Sequence, residues 1–244
     1  MAERAALVTG GSSGIGLAIA RALAEDGYAV TVSARRPDKL EAAVATLSAD
    51  SLDVAAMPAN VADEDELKAL LEAHKERYGR LDVLVNNAGV GIGGALDDYA
   101  TKSLDMQLGV NLRSYVLAIR EALPMLREAG GEHGKALIVN TASIAGKAGQ
   151  GWLAVYSATK AGVVGLSQAA QMELGSAGIQ VTALCPGFVD TPMTEWVQGQ
   201  VKPEEMIKPE DLAETVRLLL RTSPNCLIPE VVFTRPGDPS AFST

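Results

Sequence analysis

Tyr156 and Lys160 stand four residues apart in Tyr156-Ser157-Ala158-Thr159-Lys160, and Ser143 lies thirteen residues before the tyrosine. A helical pattern from Gly151 to Ser176 puts positions 156 and 160 on one face, one turn apart. A phenol and an ammonium then reach the same substrate atom. A nearby cation favours the ionised phenol, so Lys160 is expected to lower the Tyr156 pKa from its usual value of about 10. Such a phenol exchanges a proton with an alcohol or ketone near neutral pH. Many solvated helix faces carry Tyr and Lys at this spacing, so the chemistry depends on what the remaining elements bring to the pair.

Those elements alternate. Apolar runs at Ala5–Thr9, Ala29–Ala34, Leu52–Met57, Val83–Asn86, Ala136–Thr141 and Ile179–Cys185 read as buried strands. A last strand is expected at Pro229–Phe233, before a polar tail. Between the runs, Ile15, Ile19, Ala22 and Leu23 share one helical face, as do Leu40, Val44 and Leu47, and Leu67, Leu70, Leu71 and Tyr78. Asp63 and Glu66 have the spacing of a capping box. Leu212, Val216, Leu219 and Leu220 mark one more amphipathic helix. The pattern implies an α/β fold, a doubly wound parallel sheet of about seven strands with helices on both faces. No repeat or linker interrupts it, so residues 1–244 are expected to form one domain.

The first strand runs into Thr9-Gly10-Gly11-Ser12-Ser13-Gly14-Ile15-Gly16. Glycines 10, 14 and 16 permit a tight turn, close approach of a pyrophosphate and close helix packing, and the helix start offers free N–H groups. After a strand and before a helix, this turn points to a dinucleotide. The second strand ends in Ser33-Ala34-Arg35-Arg36, where a carboxylate would normally hold the adenosine ribose. Arg35 and Arg36, helped by Ser13, suit a 2′-phosphate instead, so NADP(H) is the expected cofactor and NAD(H) the alternative. Asn60 and Val61 are placed to line an adenine pocket, and Asn87, Ala88 and Gly89 follow the fourth strand at the ligand-binding edge. Asn111 interrupts an apolar stretch and needs polar partners. Ser143 closes the fifth strand, where its hydroxyl can donate to a carbonyl oxygen. Pro186 and Gly187 turn the chain above the same edge, and the Val189 backbone with Thr191 can hold a carboxamide. Trp152, Phe188, Met193 and Trp196 suggest an apolar substrate pocket, with the segment after Pro192 as a small lid.

A formal charge of −9 argues against a nonspecific nucleic-acid or anionic-membrane binder. Cys185 and Cys226 have neither metal spacing nor a disulfide framework, so no metal is expected. The N-terminus does not resemble a signal peptide and no apolar run spans a bilayer, so a cytoplasmic protein is expected. His74 and His133 read as structural. Arg113, Arg120 and Arg127 recur every seven residues, either as a basic stripe for an acidic carrier protein or as a solvated or interface face.

With these residues in hand, the chain resembles the short-chain dehydrogenase/reductase family in its compact, Rossmann-type, single-domain branch. Thr9 to Gly16 fits its TGxxxGxG turn, Asn86 to Gly89 its NNAG motif, and Pro186-Gly187 its PG turn. Asn111, Ser143, Tyr156 and Lys160 fit its catalytic four in order and spacing. The resemblance implies an NADP(H)-dependent oxidoreductase for a small carbonyl or alcohol substrate. In it Tyr156 is the acid–base, Ser143 polarises the carbonyl, Lys160 also binds the nicotinamide ribose, and Asn111 holds a relay water. It implies a homotetramer or homodimer as well. A 3-oxoacyl-carrier-protein reductase is the nearest alternative, and a cofactor-binding sensor without turnover is the alternative of another class. Asn60 stands where the family usually has Asp, and Pro229 to Asp238 replaces its usual Asp-Gly-Gly ending.

Overall fold

Apolar side chains that point alternately up and down along a parallel strand must be covered on both faces. The computed structural model, which describes residues 3–50, 52–199 and 201–237, shows how that is achieved. Strands β1 (Ala5–Thr9), β2 (Ala29–Ser33), β3 (Val54–Ala56), β4 (Val83–Asn86), β5 (Ala136–Thr141), β6 (Ile179–Pro186) and β7 (Glu230–Phe233) form one sheet. Their order is β3-β2-β1-β4-β5-β6-β7, and every neighbouring pair is parallel. Ala6, Val8, Val30, Val32, Val83 and Val139 face helices α1 (Gly14–Glu25) and α2 (Pro37–Ala49), joined there by the C-terminal helix at Pro209–Arg221. Leu7, Leu84, Ile138 and Val181 face α3 (Glu64–Tyr78), with further helices at Ser114–His133 and Ala154–Leu174. In chain order those three helices are α5 (Ser114–His133), α6 (Ala154–Leu174) and α7 (Pro209–Arg221), after the short α4 (Thr101–Leu108). A π-helical turn, Gly109–Arg113, joins α4 to α5.

The expected elements are present, with shifted ends. β3 pairs only over Val54–Ala56, β6 runs on to Pro186, and the end of the tail from 238 lies outside the described residues. The helix expected from Gly151 starts at Ala154, because Trp152 adopts a left-handed φ of 65° that no helix can continue through. Half of the expected capping box forms. The Asp63 carboxylate accepts the N–H groups of Asp65 and Glu66 at 3.0 and 3.1 Å, but Glu66 reaches past Asp63 to the Asn60 N–H at 2.8 Å. Among the described residues no helix is long and apolar enough to cross a membrane.

The two sheet edges are held by buried polar groups. At the amino edge His74 joins Thr31 (2.7 Å) to the Arg80 carbonyl (3.0 Å), and burial lowers its pKa to about 4. Next to it the Asp82 carboxylate, 4% exposed, accepts the Ala5 N–H at 2.8 Å and both arms of Arg80 at 2.8 and 2.7 Å. His133 lies against the same Arg80. At the carboxyl edge, Thr9 Oγ1 donates to the Val85 carbonyl and accepts the N–H groups of Asn87 and Ala88.

Removing one partner of a buried, hydrogen-bonded ion pair leaves the other uncompensated. Asp82→Ala is expected to lower unfolding stability by about 3 kcal/mol, read by urea denaturation at neutral pH.

Candidate active site

β5 ends at Thr141, and the chain turns through Ser143 into a short 3₁₀ segment, Ile144–Gly146. A Cβ on Gly146 would lie 2.6 Å from the Lys160 carbonyl, so only glycine lets this turn rest on α6. That contact sets Ser143 beside Tyr156. The Ser143 hydroxyl accepts the Ala145 N–H at 3.1 Å, donates to the Pro186 carbonyl at 3.4 Å and lies near enough to the Tyr156 phenol to pull its pKa down. One turn along α6, Lys160 is buried and its Nζ donates to the Thr141 carbonyl at 2.7 Å. Nζ also stands 5.7 Å from the ring centroids of Tyr156 and Tyr115.

The electrostatics differ from the expectation that Lys160 lowers the tyrosine pKa. Burial pushes the Tyr156 phenol up, and the opposing pull comes from the Ser143 hydroxyl. Lys160 faces the tyrosine ring and donates its hydrogen bond to a backbone oxygen. Its own pKa is brought down to about 8 by burial.

Asn111 is buried in the π-helical turn. Its Oδ1 accepts the Val90 N–H and its Nδ2 donates to the Val90 carbonyl, both at 2.8 Å, with a further bond to Thr159 Oγ1 at 3.2 Å. Both amide hydrogens are thus committed, and the side chain clamps the loop after Gly89 to α6. Three participants escaped the sequence reading. Tyr115 directs its hydroxyl to the Ala88 and Thr141 carbonyls (3.1 and 3.3 Å), and its place four residues after Asn111 was the available signal. Thr141 acts through a backbone oxygen, which leaves no mark in sequence, and Thr9 through a side-chain hydroxyl at the head of the glycine turn, where its place in the motif was the signal.

The glycine turn fits a dinucleotide. Gly10 has φ 67°, and a Cβ there would lie 2.7 Å from Ala88 Cα; one on Gly16 would lie 2.5 Å from the Gly10 carbonyl oxygen. Asn87 fastens the turn, donating to the Thr9 and Gly10 carbonyls at 3.2 and 3.1 Å and accepting from Thr141 Oγ1 at 3.2 Å. Ser13 precedes α1 without capping it, so no side chain occupies the N–H groups beside Ser12, Gly14 and Ile15. The Gly11 N–H donates to the Ser33 carbonyl at 3.1 Å, which brings the exposed Arg35 and Arg36 close to the turn. Asn60 is partly buried and closes a local turn, its Oδ1 accepting the Ala62 N–H at 3.3 Å beside the buried Val61. Gly89 faces the Lys160 ammonium, 3.6 Å from where its Cβ would stand. Beyond Pro186 the Gly187 N–H is bound to the Phe233 carbonyl at 2.9 Å. Thr194, unnoticed in the sequence, accepts the Thr191 N–H at 3.2 Å and donates to the Val189 carbonyl.

On the substrate side, Trp152, Met193 and Trp196 are exposed and Phe188 is partly buried. Trp196 lies between the other two rings, 6.1 Å from Trp152 and 6.3 Å from Phe188. The expected lid is a short 3₁₀ segment, Pro192–Val197, that forms an open wall.

This arrangement has many relatives. The profile described as short chain dehydrogenase matches residues 4–201. A 3-oxoacyl-[acyl-carrier-protein] reductase FabG of Staphylococcus aureus is 40% identical over 227 residues, covering 88% of this chain and 90% of that protein. A single-residue variant of the actinorhodin polyketide ketoreductase, solved with NADPH, superposes with a TM-score of 0.86 at 35% identity, covering 95% of this chain and 97% of the other. The 3-ketoacyl-(acyl-carrier-protein) reductase from Brucella melitensis complexed with NADH gives 0.86 at 29% identity, covering 95% and 96%.

The Lys160 pKa yields a pH test. Its folded value of about 8 lies below the ordinary 10.5, so the fold disfavours the charged form. Below pH 8 both folded and unfolded chains hold the proton and the full penalty stands; between 8 and 10.5 the folded chain releases it first and the penalty fades. Relative to Lys160→Met, the unmodified protein is expected to gain about 3 kcal/mol of stability from neutral pH to pH 10.5, read by denaturation across that range.

Proposed function

The chain belongs to the short-chain dehydrogenase family, and from that premise we propose an NADP(H)-dependent oxidoreductase that interconverts a ketone or aldehyde with its alcohol. The observation that carries this reading is the meeting of Ser143, Tyr156 and Lys160 at the same sheet edge as the glycine turn. When bound, the nicotinamide supplies or accepts the hydride. The turn from Gly10 to Gly16 and the start of α1 would hold its pyrophosphate, Arg35 and Arg36 its 2′-phosphate, and Asn60 with Val61 its adenine side. Asn87, Ala88, Gly89, Pro186, Gly187, Val189 and Thr191 would line its nicotinamide half, with Lys160 on the ribose.

In reduction Tyr156 donates its phenolic proton to the substrate oxygen, and in oxidation it takes that proton back. A phenol kept protonated by burial is the form that reduction needs. Ser143 Oγ donates a hydrogen bond to the same oxygen. The Lys160 charge, held over the Tyr156 ring, would favour the phenolate as it forms, and solvent would return the proton to Tyr156. Asn111 keeps Val90 and α6 in register around that exchange.

A carrier-protein substrate is the second reading, favoured by the relatives named above. It needs a positive landing surface, and Arg113 and Arg120 are both tied to Glu64, with Arg120 also on Glu121. Lys68 pairs with the same Glu64, and a face whose arginines are already engaged by the chain's own carboxylates favours a free small molecule. A sensor without turnover has no use for the Ser143–Tyr156–Lys160 set. We also assign the protein to a reducing cytoplasm, consistent with the free, exposed Cys226. A homotetramer or homodimer is supported by the exposed small-residue face of α6, formed by Ala158, Ala161, Gly165 and Ala169.

Tyr156→Phe is expected to lower kcat/KM roughly 10²- to 10⁴-fold while cofactor affinity, followed by fluorescence titration, stays nearly the same. Retained activity would remove the acid–base role. Combining Ala34→Asp with Arg35→Ala is expected to reverse a roughly ten- to hundredfold preference for NADP(H), read as the ratio of kcat/KM with the two cofactors.

A further inference from the structure

Aromatic residues are scarce in this chain, 4% of the whole, with two tryptophans and three phenylalanines. Both tryptophans and one phenylalanine nevertheless meet in one place. Trp152 and Trp196 are 60% and 57% exposed, so the protein's own side chains leave their faces largely open. Their rings tilt by 53°, and Phe188 meets Trp196 edge-on at 80°. The Phe188 ring also carries the Arg235 guanidinium, 5.9 Å from its centroid.

Trp152 is also held where a bulky residue is disfavoured. Among the described residues it is the one non-glycine with a left-handed φ, at 65°. The Gly94 N–H pins its carbonyl at 2.8 Å, and Gly93 lies against the six-membered ring of its indole, where a Cβ would come within 2.1 Å. Two residues earlier, Gly91 faces the edge of the Tyr156 ring at 3.9 Å. Two residues of extended chain span at most about 7 Å, so one short stretch of backbone joins the glycine against the Tyr156 ring to the glycine against the indole.

We propose that Trp152, Trp196 and Phe188 select ketones whose carbonyl carbon carries an aryl ring. This deepens the oxidoreductase reading and rests on it. A carbonyl oxygen placed on Ser143 and Tyr156 leaves its nearest substituent beside Gly91 and Gly93, against the two indoles. An alkyl group there gains only area. A flat ring adds offset or edge-to-face contacts to rings already tilted to receive it.

Two measurements test this. The first compares kcat/KM for acetophenone and cyclohexyl methyl ketone in the unmodified enzyme and in Trp152→Leu and Trp196→Leu. The ratio between variants cancels the intrinsic reactivity of the two ketones. Each substitution is expected to lower the aryl-to-cyclohexyl ratio roughly three- to tenfold. An unchanged ratio in both variants overturns the proposal and leaves the oxidoreductase reading standing, whereas no turnover of any carbonyl compound counts against that reading.

The second needs no turnover. Because both tryptophans stand in the wall, their emission reports on it directly. With oxidised cofactor present, which cannot reduce a ketone, acetophenone is expected to change the emission saturably at concentrations where cyclohexyl methyl ketone does not. Equal responses, or none, overturn the proposal. So does emission that changes only on dilution of the protein, which would mean that a second copy covers the wall.

Discussion

The Lys160 ammonium is buried against the Thr141 carbonyl, and its pKa falls for want of solvent. Among the described residues no carboxylate forms an ion pair with it, so a backbone dipole and two aromatic rings have to suffice. A charge held on those terms is costly to the fold, and such groups cluster where chemistry is done. It also constrains its surroundings. β5 must end at Thr141 so that a carbonyl is aimed at α6, and Gly146 must lack a side chain so that the following turn can lie on Lys160. Ser143 reaches Tyr156 because both conditions are met.

A second layer keeps this geometry fixed to the cofactor turn. Thr141 presents its carbonyl to Lys160 and its hydroxyl to Asn87, while Asn87 holds the Thr9 and Gly10 carbonyls. The end of β5, the exit of β4 and the glycine turn therefore move as one body. Asn111 does the same for Val90 and Thr159, and Gln107 extends the support outward by gripping both backbone groups of Ile92. Each of these polar groups is buried or nearly so, and satisfied bonding in a low dielectric makes the network rigid. Rigid placement is what proton transfer over a single hydrogen bond requires.

Much of this was legible in the sequence because it depends on side-chain type and period. Unbroken apolar runs in Ala6–Val8 and Val83–Val85 announce strands covered on both faces, and Gly10, Gly14 and Gly16 announce a turn pressed against a neighbour. What depends on backbone atoms left no trace. The oxygen that accepts from Lys160 belongs to Thr141, and any residue carries such an oxygen. The pKa of Tyr156 could not be read from its spacing to Lys160, since burial sets the direction and the cation sits over the ring. The start of α6 was misplaced because the left-handed Trp152 looks, in sequence, like an ordinary helix residue. Glu66 passed over Asp63 to Asn60 because spacing alone does not say which of two N–H groups a carboxylate will find.

The central claim is that this edge of the sheet carries a hydride to a carbonyl carbon and a proton to its oxygen. It is tested most directly by supplying reduced nicotinamide cofactor deuterated at the transferable position, with a prochiral ketone in ordinary water, and examining the alcohol by NMR. Deuterium on the carbinol carbon, on one face only, is the predicted result. Cofactor that binds but yields no deuterated alcohol with any carbonyl compound in a broad panel would contradict the account.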